Sequence, residues 1–263
     1  MGWKGMAIGG YIGSLFGGPL GAILGAVLGH KVENAASGEN RRARVSSGYA
    51  GMSAADRSRV FCASAAAMLA KMSKADGVVT RSEIAGVENA FRRLGFTPAA
   101  RQYAIEVFRR AKDDAHTIYE YAREFATAVD SVEVRELFYE ILWDIACADG
   151  SVSPAELLIL QRIPRALGIR IDWYAYFASQ RLGSRSGGPS ASRDPLADAY
   201  SVLGASANDS TDELKRKYRE LAKRNHPDAL RAQGLPEEMV GKATERMSRI
   251  NEAWAAIKEA RGL

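Results

Sequence analysis

Asn225-His226-Pro227-Asp228 is the stretch on which the reading of this chain turns. By composition alone a His-Pro-Asp tripeptide should arise by chance in roughly one or two per cent of chains this long, so its flanks carry the argument. Upstream, Asp194 to Gly204 reads as a short helix stopped by glycine. Ser210, three residues before Glu213, opens a second helix with a capping-box start. Leu214, Tyr218, Leu221 and Ala222 then recur at helical spacing and make one face apolar, while Lys215, Arg216, Lys217, Arg219, Lys223 and Arg224 occupy the other. Pro227 cannot continue this helix and biases His226 away from the α region, which places the tripeptide on a loop. A second amphipathic helix follows from Pro236 to Glu259, with Met239, Ala243, Met247, Ile250, Trp254 and Ile257 on its inner face. Two such helices joined by a loop are expected to pack as an antiparallel hairpin.

The constellation Tyr200-x-x-Leu203-Gly204, Tyr218-Arg219-x-Leu221-Ala222-x-Arg224-x-His226-Pro227-Asp228 and Ile250-Asn251-x-Ala253-Trp254 resembles a J-domain over the last quarter of the chain. The resemblance implies a partner, a DnaK-type ATP-dependent chaperone whose ATP hydrolysis the J-domain stimulates. It also implies a docking surface made of His226, Pro227 and Asp228 with the basic face, for which Lys215, Tyr218, Arg219 and Lys223 are the candidates. Asn225 stands where the family usually has an aromatic residue, and Glu220 interrupts the basic run. Independently of the family, a cationic helix face attracts an acidic surface and speeds encounter more than it adds affinity. A plain solvated charged helix is the bland alternative. Nucleic-acid binding is the other, and Glu220, Glu237, Glu238, Glu245 and Glu252 dilute the patch against it; no nucleic-acid partner is expected.

At 263 residues the chain has room for about one to three domains. Its net charge of +5 and pI near 9.2 point weakly to an acidic partner or an anionic membrane surface. Two cysteines, Cys62 and Cys147, without a CxxC pair argue against a disulfide framework and a cysteine-rich zinc site.

No charged residue lies between Lys4 and His30, and residues 5–29 are long enough to cross a bilayer core of about 30 Å as a single transmembrane helix. Gly5, Gly9, Gly13, Gly17, Gly21, Gly25 and Gly29 recur every fourth residue. In lipid such a stripe lets a second helix approach closely, so Gly9, Gly13, Gly17, Gly21 and Gly25 are candidates for self-association into a homodimer, with Pro19 as a kink. A cleaved signal peptide and a flexible soluble tail are the alternatives. Lys31, Arg41, Arg42 and Arg44 outweigh Lys4 across the span, which puts the N-terminus outside and the C-terminal domains in the cytoplasm. Residues 30–54 read as a basic linker.

From 55 to 182 the pattern is helical throughout, with helices expected near 56–74, 80–94, 98–112, 117–129, 131–147, 153–167 and 171–181. The region holds an internal repeat: Ala75-Asp76-Gly77 to Ile84 matches Ala148-Asp149-Gly150 to Leu157, and both copies close in Leu-Gly-apolar stops, Leu94-Gly95-Phe96 and Leu167-Gly168-Ile169. The Asp-Gly-x-x-[Thr/Ser]-x-x-Glu run resembles half of a calcium loop, but the first half lacks oxygen ligands. A structural reading accounts for each residue: an Asp-Gly turn, capping boxes Thr80/Glu83 and Ser153/Glu156, and Pro154 at the first helical position. The repeat is similar to that of the TerB (tellurite-resistance-type) family, whose acidic turns imply a shared divalent-metal site; carried over, the metal candidates are Asp76, Glu83, Asp149 and Glu156. Residues 183–195 read as a flexible linker that lets the J-domain, 196–263, swing.

The whole chain is thus expected to be all-α: a membrane span, a TerB-like bundle and a C-terminal J-domain. That order resembles the bacterial DjlA co-chaperones, and implies a protein of the inner membrane that is no enzyme itself and needs no cofactor; no GxxxxGK[ST] phosphate loop occurs. The alternative is a metal-responsive or protein-binding stress scaffold at the membrane with an accessory J-domain. Client proteins are not legible.

Overall fold

The structure, a computed structural model, describes residues 52–74, 81–93, 95–147, 152–182, 194–233 and 235–263, with Pro19 and Gly21. The expected span over 5–29 otherwise lies outside the described residues, as do most of both linkers and the two Asp-Gly turns with Asp76 and Asp149. Of the glycine stripe, Gly21 is helical and buried, and its backbone N–H donates to Glu124 Oε1 at 2.8 Å. Among the described residues no helix is long and apolar enough to cross a membrane, and no strand occurs.

The helical domain contains α1 (Ala54–Lys74), α2 (Arg81–Arg93), α3 (Pro98–Ala111), α4 (Ile118–Ala128), α5 (Val132–Ala146), α6 (Pro154–Leu167) and α7 (Asp172–Leu182), each within a residue or two of the periodicity that predicts it. Ser53 starts α1 by accepting the Asp56 N–H at 3.1 Å. Every side chain from Val60 to Met68 except Ser64 is apolar, and all of them are fully buried, Ser64 included. A helix that is apolar all round belongs inside a core, and α3, α4, α5 and α6 pack around α1. Its alanines, Ala63, Ala65, Ala66 and Ala67, allow close approach, and the Ser64 hydroxyl is satisfied locally by the Val60 carbonyl at 2.8 Å. Phe61 sits edge-on to Phe138 at 5.0 Å, and Phe138 stacks on Phe125 at 4.2 Å, which ties α1, α4 and α5 together.

The repeat shows in matching helix ends. Gly95 and Gly168 take φ of 83° and 62°, the left-handed conformation that glycine adopts without a Cβ clash. In both copies the following residue bonds five positions back, Phe96 N–H to the Phe91 carbonyl at 3.1 Å and Ile169 N–H to the Pro164 carbonyl at 3.0 Å. In the second copy Arg135 also donates to the Leu167 carbonyl at 2.6 Å, using an acceptor that the helix end leaves open.

The C-terminal domain holds α8 (Pro195–Leu203), α9 (Thr211–Asn225), α10 (Pro227–Ala232), a single 3-10 turn (Glu237–Met239) and α11 (Val240–Arg261). Ser210 caps α9 through the Glu213 N–H at 3.3 Å. Leu214, Met239, Ala243, Ile250 and Ile257 are buried as the periodicity requires. Arg261 holds the α8–α9 loop to the end of α11, donating to Tyr200 Oη at 2.8 Å and to the Asp209 carbonyl at 2.7 Å.

The structure seats the C-terminal domain against α5 and α7. Ser131 donates to Gln233 Oε1 at 2.5 Å, Arg170 to the Ser201 carbonyl at 3.3 Å, and Trp173 and Tyr176 face Val202, Leu221 and Ile250. Arg246, 3% exposed, pairs with Glu136; the expected inner face of α11 omitted it because its burial comes from the neighbouring domain, not from its own hairpin.

Asp114 anchors the α3–α4 loop to α1. Lys71 Nζ pairs with Asp114 Oδ1 at 2.6 Å, Tyr121 Oη donates to Oδ2, and the His116 N–H donates to Oδ1 at 2.9 Å. Burial alone would raise the Asp114 pKa, but these bonds outweigh it and hold it below the usual 3.8. A depressed carboxylate stabilises the fold above its unfolded-state value, and the contribution is lost as pH falls through the lower folded value. The thermal midpoint of Asp114→Asn is expected to lie below wild type at neutral pH, with the gap closing under about pH 4; a gap independent of pH contradicts this assignment.

Candidate functional site

His226 is the single residue between α9 and α10, and it serves both helices. It ends α9 in an extended conformation, φ −61° and ψ 132°, and its ring Nδ1 accepts the Asp228 N–H at 3.3 Å as the N-cap of α10. The sequence places the tripeptide on a loop; the structure corrects this to a helix-to-helix corner. Pro227 sits at the first position of α10, where its missing N–H costs nothing and its fixed φ suits the helix. Asp228 lies in the first turn, and its Oδ1 accepts from Arg231 Nη1 at 2.7 Å. The His226 and Asp228 side chains are 57% and 74% exposed, so both are presented to solvent by rigid backbone.

Asn225 is buried, and its amide donates back to the Leu221 carbonyl at 2.9 Å. The polar residue at this aromatic-preferring position is thus turned onto its own helix, and the corner closes around it.

On α9, Lys215, Arg216, Arg219 and Lys223 share one open surface with Asp212 and Glu220. Glu220, the residue that interrupts the basic run, pairs with Arg224 at 2.5 Å and with Arg216 at 3.7 Å. Lys217 turns away to Asp209 at 2.6 Å. Among the described residues none of Lys215, Arg219 and Lys223 has an ion-pair partner, so these three are the unpaired cations of the surface. Tyr218, the fourth candidate on this helix, is half-buried. Its ring stacks on Trp254 at 5.0 Å and 12°, and its hydroxyl donates to Asn251 Oδ1 at 3.2 Å, so it holds α9 to α11. A residue on the boundary of an amphipathic helix can face either way, and only the opposing helix decides.

Of the metal candidates, Glu156 is engaged in a capping box: its Oε2 accepts the Ser153 N–H at 2.9 Å, and its own N–H donates to Ser153 Oγ at 3.2 Å. Asp76 and Asp149 lie outside the described residues, as does the Glu83 side chain. Among the described residues no group of three or more histidines, cysteines or acids is placed to hold a metal ion.

Because Nδ1 of His226 accepts a hydrogen bond, the neutral ring is expected to carry its proton on Nε2. Ring 15N chemical shifts of the folded protein test this, and a proton on Nδ1 would rule out the capping bond.

Three family descriptions match the chain: tellurite resistance protein TerB over residues 63–175, the DnaJ domain over residues 198–261 and the co-chaperone DjlA transmembrane domain over residues 1–43. Co-chaperone protein DjlA of Vibrio cholerae is 34% identical over 235 residues, 81% of this chain and 82% of the relative. That of Vibrio vulnificus is 33% identical with the same coverage, and that of Escherichia coli is 31% identical over 221 residues, 79% of this chain and 82% of the relative. No solved structure matches the chain. With its all-helical fold, its TerB and DnaJ regions and an exposed His-Pro-Asp corner beside a cationic face, the chain belongs to the DjlA family of membrane-anchored J-domain co-chaperones.

Proposed function

We propose that this protein recruits a DnaK-type chaperone to the bacterial inner membrane and stimulates that chaperone's ATP hydrolysis. The N-terminus lies outside, and the helical domain and J-domain lie in the cytoplasm, where ATP is available. The observation that carries the reading is the His226-Pro227-Asp228 corner, exposed at the end of α9 next to Lys215, Arg219 and Lys223. The cationic face supplies long-range attraction to an acidic surface, which raises the encounter rate. The corner supplies a short-range polar constellation that a rigid backbone holds ready, so little ordering remains to be done on binding. The ATP chemistry resides in the partner, and this chain's residues dock and position.

Single-turnover ATP hydrolysis by the host's DnaK-type chaperone tests the reading. The full chain in membranes is expected to accelerate turnover, and His226→Gln to abolish the acceleration while leaving the helical signal intact. Lys215→Glu/Arg219→Glu/Lys223→Glu is expected to slow association and flatten its dependence on salt. No acceleration by folded wild type would end the proposal.

We also propose that the glycine stripe pairs two copies in the membrane. Crosslinking of membrane-embedded protein is expected to fall when Gly13 and Gly17 are changed to leucine, and an unchanged dimer fraction would exclude the stripe as the contact.

A further inference from the structure

The J-domain carries two sets of cations, and they have opposite fates. Lys215, Arg219 and Lys223 on α9 face solvent. Lys242, Arg246 and Arg249 on α11 form a stripe at helical spacing that meets a second stripe, Glu136, Glu140 and Asp144, on α5 of the helical domain. Arg246 Nη2 pairs with Glu136, Arg249 with Glu140 at 2.6 Å, and Lys242 with Asp144 at 2.9 Å. Arg181 of α7 completes the group, at 2.5 Å from Asp144 and 3.9 Å from Glu140. The Glu140 side chain is 1% exposed and that of Glu136 7%.

The rest of the seam is built like an interface between partners. Its centre is aromatic and apolar, with the Arg246 guanidinium 5.0 Å from the Trp173 ring and Val202, Leu221 and Ile250 beside it. Its edge is polar, with Ser131 on Gln233 and Arg170 on the Ser201 carbonyl. An arginine and aromatic centre within a polar rim is the usual anatomy of a specific contact. For Arg249, burial would lower the pKa, but Glu140 outweighs it and the charge is held more firmly than in water.

We infer that the acidic stripe of α5 is a dedicated dock for the chain's own J-domain, and that a chaperone binds the J-domain while it stays seated there. The seated geometry leaves His226 and Asp228 exposed and the Lys215, Arg219 and Lys223 surface open. The α11 cations are therefore docking groups and take no part in the chaperone contact. The helical domain fixes the direction in which the corner points relative to its own helices. Buried ion pairs suit this role, because they are unfavourable when mismatched and so select one register. Only the part concerning the chaperone rests on the function proposed above.

The test uses the full chain in lipid nanodiscs with Cys147→Ser. Spin labels go on Arg109→Cys in α3 and Glu259→Cys in α11, both exposed positions. With the labelled chain diluted in excess unlabelled Cys147→Ser protein, so that distances between copies do not contribute, electron paramagnetic resonance is expected to give one narrow peak, unchanged when the DnaK-type chaperone and ATP are added. Arg246→Glu/Arg249→Glu is expected to lose the narrow peak yet stimulate ATP hydrolysis to the wild-type maximum at saturating concentration. A broad distribution in wild type, a narrow peak retained in the variant, or a peak lost on adding chaperone overturns the inference. Should the arginine variant fail to stimulate, Glu136→Lys decides, since it leaves the J-domain sequence untouched: a broad distance with full stimulation sustains the dock, and a narrow one ends it. Failure of the chaperone reading looks different, with no stimulation by wild type while the docking distances behave as stated.

Discussion

Three carboxylates on one helix set the terms for the rest of this structure. Helix α5 places Leu137, Phe138, Ile141 and Leu142 in the core and Glu136, Glu140 and Asp144 along another edge. Removing a carboxylate from water costs several kcal/mol even after relaxation, on the order of what a small domain has in total stability. Such groups are tolerable only with cations in contact, and α5 and its immediate neighbours in sequence do not supply them. They come from Arg181 on α7 and from Lys242, Arg246 and Arg249 on α11. One helix thus belongs at once to the core of the first domain and to its junction with the second.

The same charge type does two jobs in the J-domain, and solvent exposure separates them. Exposed lysines and arginines on α9 act through a high dielectric, where each pair is worth little but the summed field still steers an approaching partner. The cations of α11 act at contact in a half-dry seam, where they fix orientation. This division explains how a basic protein can be stitched together by ion pairs and still present a positive surface: Glu213, Glu220 and Asp209 neutralise Arg216, Arg224 and Lys217, and three cations remain outward.

Rigidity near the functional corner has a local cause. His226 is the only non-helical residue between two helices, its ring caps the second, and Pro227 fixes the backbone between them. Tyr218 stacked on Trp254 holds the first helix to α11, and Gln233, just past the short helix α10, bonds to Ser131 of the helical domain. The corner is therefore supported from both sides, and its exposed side chains are positioned without being buried.

Much of this was legible in the sequence because it depends on neighbours along the chain. Helical periodicity located the described helices from 54 to 182, the Ser153 cap and the Gly95 and Gly168 stops marked some of their ends, and the His-Pro-Asp setting identified the J-domain. Where the reading missed, distant residues decided. Proline after histidine reads as a loop in the sequence, whereas its fitness for a first helical turn gives a corner. Glu136, Glu140 and Asp144, spaced four apart in a largely apolar helix, are the available sign of a second buried face, but spacing looks the same whether acids meet water or arginine. Sequence by itself determined which elements form and which side chains share a face of each. Only the tertiary structure decided which charged face is covered, because burial is set by groups some hundred residues apart in the chain.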